Sequence, residues 1–211
     1  MFEKLEWDKI ADHFEKRRNT HRQLGELFAA GDVKNFARWA VGEEDPRANY
    51  SAYVNGLGAK ILSENANPGR DIFQLATRFV ALSSGAEIPE AVRSAGIRYL
   101  GISVGSEIAC MLDPARFWVT NRKTLWTHLV LEQGGDFGIA NRALQEYLGK
   151  DPDSTMAYRK WKAIHSLLEK SMTQVFEFGS SHASNLGIEV GSAKFLWADA
   201  IAANLYGEYH G

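Results

Sequence analysis

"GISVGSEIACMLDPARFWVTN", Gly101–Asn121, is the stretch on which the reading of this chain turns. Two breaks in helical pattern fall inside it. A glycine-punctuated turn around Gly101–Gly105 runs into a short apolar helix. Asp113-Pro114 then interrupts the pattern before Trp118, Val119 and the polar pair Thr120-Asn121. Read locally, Arg98, Tyr99 and Leu100 end one helix and Ser103 or Ser106 caps the next. Gly105 is free to adopt a positive φ or to let backbone approach closely. A helix N-terminus beside such a turn offers unbonded amides and the positive end of the helix dipole, which suits a phosphate. Arg93, Arg98, Arg116, Arg122 and Lys123 stand against Glu107 and Asp113, so the neighbourhood is positive.

Outward from this stretch, helical spacing dominates and strand signals are scarce. Upstream, Leu5, Ile10, Phe14, Leu24, Leu27 and Phe28 form a stripe with an interruption expected near Asn19-Thr20. Phe36, Trp39 and Ala40 mark a short helix after Gly31-Asp32, and Gly42–Asn49 reads as a loop. Tyr50, Tyr53, Val54, Leu57 and Ile61 recur at helical steps, as do Ile72, Leu75, Ala76, Phe79 and Val80. Pro89 suits the first turn of a helix carrying Val92 and Ile97. Downstream, Leu125, Leu129 and Val130 precede Gly134-Gly135, and Phe137, Ile139, Ala140, Leu144 and Tyr147 come after it. Gly149–Thr155 breaks the chain before a long helix with Trp161, Ile164, Leu168, Met172 and Val175 on one face. A last helix is expected from about Glu189, carrying Phe195, Leu196, Ile201 and Leu205. The expectation is an all-α fold of nine to eleven helices, one domain over residues 1–211. Either one core or two helical lobes with a cleft between them would accommodate it.

Composition bounds the function. Apolar residues make up 45% and charged residues 24% of the 211, ordinary values for a water-soluble domain. A net charge of −2 and a pI near 6.3 give no whole-protein attraction to nucleic acid, so such binding needs a local patch. The single cysteine, Cys110, allows no intrachain disulfide and fits a reducing compartment. No apolar run reaches the ~18 residues of a membrane span, and the charged N-terminus does not read as a signal peptide, so the expected location is cytoplasmic. His13, His21, His128 and His165 show no metal-ligand spacing, and no phosphate-binding loop or dinucleotide fingerprint is present. Neither a metal nor a cofactor is expected.

The stretch, taken together with the residues on to Trp126, resembles the helix-hairpin-helix DNA glycosylase superfamily. Ser103-Val104-Gly105 stands at the family's glycine–hydrophobic–glycine triplet and Ala109 at the small residue that packs the second helix. Asp113–Asn121 occupies the proline-containing loop that leads to the catalytic aspartate, and Phe195–Ala200 is similar to the closing helix of some relatives. About 30 residues, 97–126, carry the resemblance. It implies a hairpin whose Ser103, Val104, Gly105 and Ser106 grip duplex DNA. It further implies a pocket for an extruded base beside Trp118, and phosphate neutralisation by Arg122 or Lys123. Two departures accompany it. Glu107 stands where lyase-competent relatives carry a lysine, and Asn121 where the family has its aspartate. An amide cannot supply the negative charge that stabilises a cationic sugar, and Asp113 is then the nearest carboxylate, with Asp136 a remote one.

Three readings compete. In the first, the chain excises a damaged or modified base by hydrolysing the N-glycosidic bond, through Asn121 or Asp113. In the second, it binds DNA on the same fold without catalysis. In the third, it is a helical interaction scaffold with no nucleic-acid role. Asn121 also reads as the N-cap of the helix that starts at Arg122. Trp118 is as well suited to core packing as to stacking on a base. The charge run Glu15–Arg22 reads as a solvated helix face that has the means to contact phosphates.

Overall fold

The helical periodicities become ten α-helices among the residues that the computed structural model describes, 5–44, 52, 55–148 and 155–210. They are α1 (Trp7–Ala29), α2 (Val33–Ala40), α3 (Leu57–Ser63), α4 (Pro68–Ala81), α5 (Ile88–Ala95), α6 (Ile102–Leu112), α7 (Arg122–Glu132), α8 (Phe137–Leu148), α9 (Thr155–Asn185) and α10 (Lys194–His210). A single 3₁₀ turn, Gly85–Glu87, joins α4 to α5. No described residue is in a strand. The loops expected over Gly149–Thr155 and much of Gly42–Asn49, with Tyr50, Tyr53 and Val54, fall largely outside the described residues.

Two helices organise the rest because much of each is buried. Nine of the eleven residues of α6 are buried, and so are nine of the seventeen of α10, which is the pattern of helices surrounded by others. α1, α4, α5, α9 and α10 pack on α6, while α1, α7 and α9 pack on α10. α2–α5 gather on one side with α1, α7–α10 gather on the other, and α1 and α6 belong to both. A triangle of rings, Phe28, Phe36 and Phe73, holds α1, α2 and α4 together at centroid separations of 5.0–5.7 Å.

Local chemistry sets most boundaries. Asp32 caps α2 by accepting from the Asn35 amide, Pro68 opens α4, and Ser84 with Glu87 forms a capping box under the 3₁₀ turn. Several expected boundaries move. α1 runs unbroken through Asn19-Thr20, because the Thr20 hydroxyl donates to the Lys16 carbonyl and the side chain stays buried within the helix. α10 starts at Lys194 rather than near Glu189, since Gly187 and Gly191 both take left-handed backbone in the intervening loop. Ile97 lies beyond α5, which Gly96 ends at φ 63°.

Candidate functional site

The stretch expected to form a hairpin is α5, the six-residue loop Gly96–Gly101, and α6. Ile97 and Leu100 are buried and anchor the loop to the core, leaving Arg98 and Tyr99 to face outward. Tyr99 is held at φ 66°, alone among the described non-glycine residues in having a positive φ. An L-residue there costs on the order of 1–2 kcal/mol, so the surroundings must hold it. Asn65, just past α3, does so. Its Oδ1 accepts from the Arg98 amide at 2.9 Å, while its Nδ2 donates to the Arg98 carbonyl at 3.2 Å and the Ile61 carbonyl at 2.9 Å. Beside it, Glu64 Oε2 accepts from the Tyr99 hydroxyl at 2.8 Å and pairs with Arg98 Nη1 at 3.1 Å. The Arg98 guanidinium and the Lys60 ammonium each lie over the Tyr99 ring, 4.9 and 5.7 Å from its centroid.

α6 then begins without a side-chain cap. Gly101 is exposed and extended, at φ −86° and ψ −174°. The helix ladder opens with the Gly105 amide donating to the Gly101 carbonyl at 2.9 Å, so the amides of Ile102, Ser103 and Val104 precede it. This relocates the expected turn. Ser103-Val104-Gly105 is helix, and the left-handed glycine of the hairpin is Gly96. Gly105 is glycine for another reason: a Cβ there would collide with Val92 Cγ2 on α5. Val104 and Ser106 are buried, and only Ser103 of the four expected hairpin residues is half-exposed. Ser106 Oγ donates to the Ser103 carbonyl and accepts the Thr120 amide at 2.9 Å, tying α6 to the loop before α7.

The positions expected to form a base pocket are occupied by structural contacts. Trp118 is 1% exposed, stacks on His165 at 4.8 Å and 17°, and donates to the His165 carbonyl at 2.8 Å. Phe195 packs against it at 5.8 Å and a Cβ on Gly85 would come within 2.5 Å of the ring, so no open face of Trp118 remains for a base. Asn121 caps α7, its Oδ1 accepting the Lys123 and Thr124 amides at 2.9 and 3.1 Å while Thr124 Oγ1 receives the Asn121 amide. Asp113 ends α6, accepts the Ala115 and Arg116 amides at 3.2 Å, and pairs with the Arg116 side chain. Asp136 caps the start of α8 through the Ile139 amide.

Glu107 points inward. With 1% of its side chain exposed it meets Arg17 Nη1 at 2.9 Å, and Arg17 Nε reaches Asp199 Oδ2 at 3.2 Å. This buried triad joins α1, α6 and α10, and neither Arg17 nor Asp199 stood out in the sequence. The sign was there: Arg17 falls in the register of Ile10, Phe14 and Leu24 on the buried stripe of α1, and so is no part of a solvated face. Next to it, burial and then the charge of Arg17 hold His13 down to about 4. Burial raises the Cys110 thiol well above its ordinary value. His165 is likewise neutral, held to about 4 by burial, with Nε2 donating to the Gly85 carbonyl and Nδ1 accepting from Thr120.

The cations near the hairpin in sequence disperse in space. Arg93 lies over the Tyr158 ring, and Arg116 donates to the Leu82 and Val80 carbonyls. Exposed Arg122 and half-exposed Lys123 stand at the start of α7, near His210 and His13 respectively. Two hollows lie elsewhere. One of about 420 Å³ sits between α9 and the loop before α10, lined by Phe176, Ser180, Ile188 and Val190. Another of about 580 Å³ lies where α4 and α5 meet α9, lined by Arg78, Leu82, Glu87, Glu90 and Lys162. Neither is lined by Trp118, Asn121 or Asp113. Among the described residues no three His, Cys, Asp or Glu side chains come together to hold a metal, and no helix is long and apolar enough to cross a membrane. Compared with known protein families, with curated proteins and with solved structures, this chain matches none.

Proposed function

We propose that this chain binds duplex DNA by docking the α5–α6 hairpin on the phosphodiester backbone, and that it does so without excising a base. The observation that carries this reading is the hairpin loop itself. Asn65 holds both the amide and the carbonyl of Arg98, so Arg98 is presented outward on a fixed loop that leads into the uncapped start of α6. Backbone amides at a helix start and a guanidinium are the groups that position a protein on phosphates without reading sequence. Excision makes a further demand, a pocket next to a carboxylate. On this reading Trp118, Asn121, Glu107 and Asp113 are committed to packing, capping and ion pairing instead.

The test is fluorescence anisotropy on a short labelled duplex across a salt series, with incubation on duplexes carrying modified bases followed by alkali cleavage. Binding that weakens with salt, with no strand cleavage after alkali, is the expected result. Cleavage at a modified base would restore the excision reading. An absence of binding at low salt would overturn both DNA readings and leave the interaction scaffold.

A further inference from the structure

The tip of the hairpin already holds an anion. Glu64 Oε2 gathers a guanidinium N–H from Arg98 and the phenolic O–H of Tyr99, the kind of charge-assisted donor set that a phosphate oxygen takes. Lys60, one turn back on α3, lies over the same Tyr99 ring. The pair is open to solvent, with 64% of the Arg98 and 38% of the Glu64 side chain exposed. So exposed a pair adds little stability, so another anion can take the carboxylate's place at small cost.

We propose that Glu64 is a resident stand-in for a backbone phosphate: it occupies Arg98 and Tyr99 when DNA is absent and is displaced when the hairpin docks. The inference rests on the DNA-binding reading and adds its regulation. Two consequences arise from charge alone. Arg98 stays ordered and paired in the free protein, so the loop does not have to be organised during encounter. The same carboxylate sets a ceiling on affinity, because docking has to remove it from Arg98.

The experiment measures duplex binding by the full-length chain as wild type, Glu64→Gln, Arg98→Ala and the double variant. Gln keeps an oxygen for the Tyr99 hydroxyl and removes only the charge, so the fold is retained, and circular dichroism checks it. A unit charge at contact distance in water predicts roughly fivefold tighter binding for Glu64→Gln at low salt. One additional phosphate neutralised steepens the salt slope by about 0.9, so that gain shrinks roughly threefold between 50 and 200 mM salt. In the Arg98→Ala background the gain disappears. If the wild type binds but Glu64→Gln binds equally or less well, or if the gain survives without Arg98, the stand-in role is overturned and the hairpin reading remains. If neither protein binds at low salt, both fall. Binding by Glu64→Gln alone would support both, with Glu64 acting as a lock.

Discussion

Aspartate placed at Gly101 or at Gly105, four residues apart on one hairpin, should weaken DNA binding in both cases while moving stability in opposite directions. Gly101 has the extended backbone of an N-cap and open space where a Cβ would stand, and no side chain caps α6. Gly101→Asp therefore gains a cap worth a few tenths of a kcal/mol over glycine. It also gains about 0.4–1 kcal/mol from a stiffer unfolded chain and about 0.3–1 from a carboxylate at the positive end of the helix. The sum is about 1–2 kcal/mol, or roughly 2–8 °C in Tm for a chain of this size. The same carboxylate takes up the amides of the first turn of α6, the groups assigned to phosphate. Losing one charge-assisted contact of about 1.5–3 kcal/mol lowers affinity roughly tenfold to a hundredfold. Gly105→Asp drives a side chain into Val92 and buries a carboxylate between α5 and α6, costing about 3 kcal/mol or more. Thermal melts and anisotropy on the two variants separate contact from collapse. Wild-type affinity in a stabilised Gly101→Asp protein would refute the hairpin assignment. A lower Tm for that variant would refute the cap geometry.

Acid should weaken the fold before the ordinary carboxylate range is reached. His165 is neutral and buried at about 4 in the native state, against about 6.5 unfolded, so the unfolded chain binds the extra proton. Stability is then complete above about pH 6.5 and falls as pH drops toward 4, by roughly 2 kcal/mol at pH 5 for this one residue. His13 acts in the same sense. Urea melts at pH 7.5 and 5 check the slope, and an unchanged midpoint would mean that neither ring is held neutral. Gly85→Ala should push the Trp118 ring off its seat, with a loss of about 1–3 kcal/mol and a red-shifted tryptophan emission. Unchanged emission would show that the 3₁₀ turn yields instead.

Elements were legible in this sequence to the extent that they repeat a period. α2, α7, α8 and α9 emerge from apolar spacing and the breaks beside them, and the cap at Asn121 from a polar residue ahead of a helical run. The interior was not legible, because identical residue types serve opposite purposes there. Gly105 and Gly96 look alike in a string of letters, yet one permits a close helix crossing and the other a left-handed turn. Asn65 and Glu64 gave no local sign of their role, since the loop they hold lies 33 or more residues downstream. Trp118 sits in a loop by sequence and in the core by structure, because the loop runs under α9 rather than over the surface.

Glu107 is fixed in the interior as a structural residue. Arg17, Glu107 and Asp199 bury one positive and two negative side chains at the meeting of α1, α6 and α10. Glu107→Lys would face a second buried cation toward Arg17 and leave Asp199 to serve both. Breaking a buried pair costs about 3–5 kcal/mol, a large part of the ~5–15 kcal/mol that holds a domain together, so the variant should be unfolded or nearly so. Arg17→Met in the same molecule removes the repulsion and lets the introduced ammonium pair with Asp199, recovering part of the loss. Urea denaturation of both variants measures the difference. If Glu107→Lys folds with wild-type stability, the three helices are not joined through this triad. The interior would then be open enough for chemistry, and the case for a binding protein without catalysis would lose its structural support.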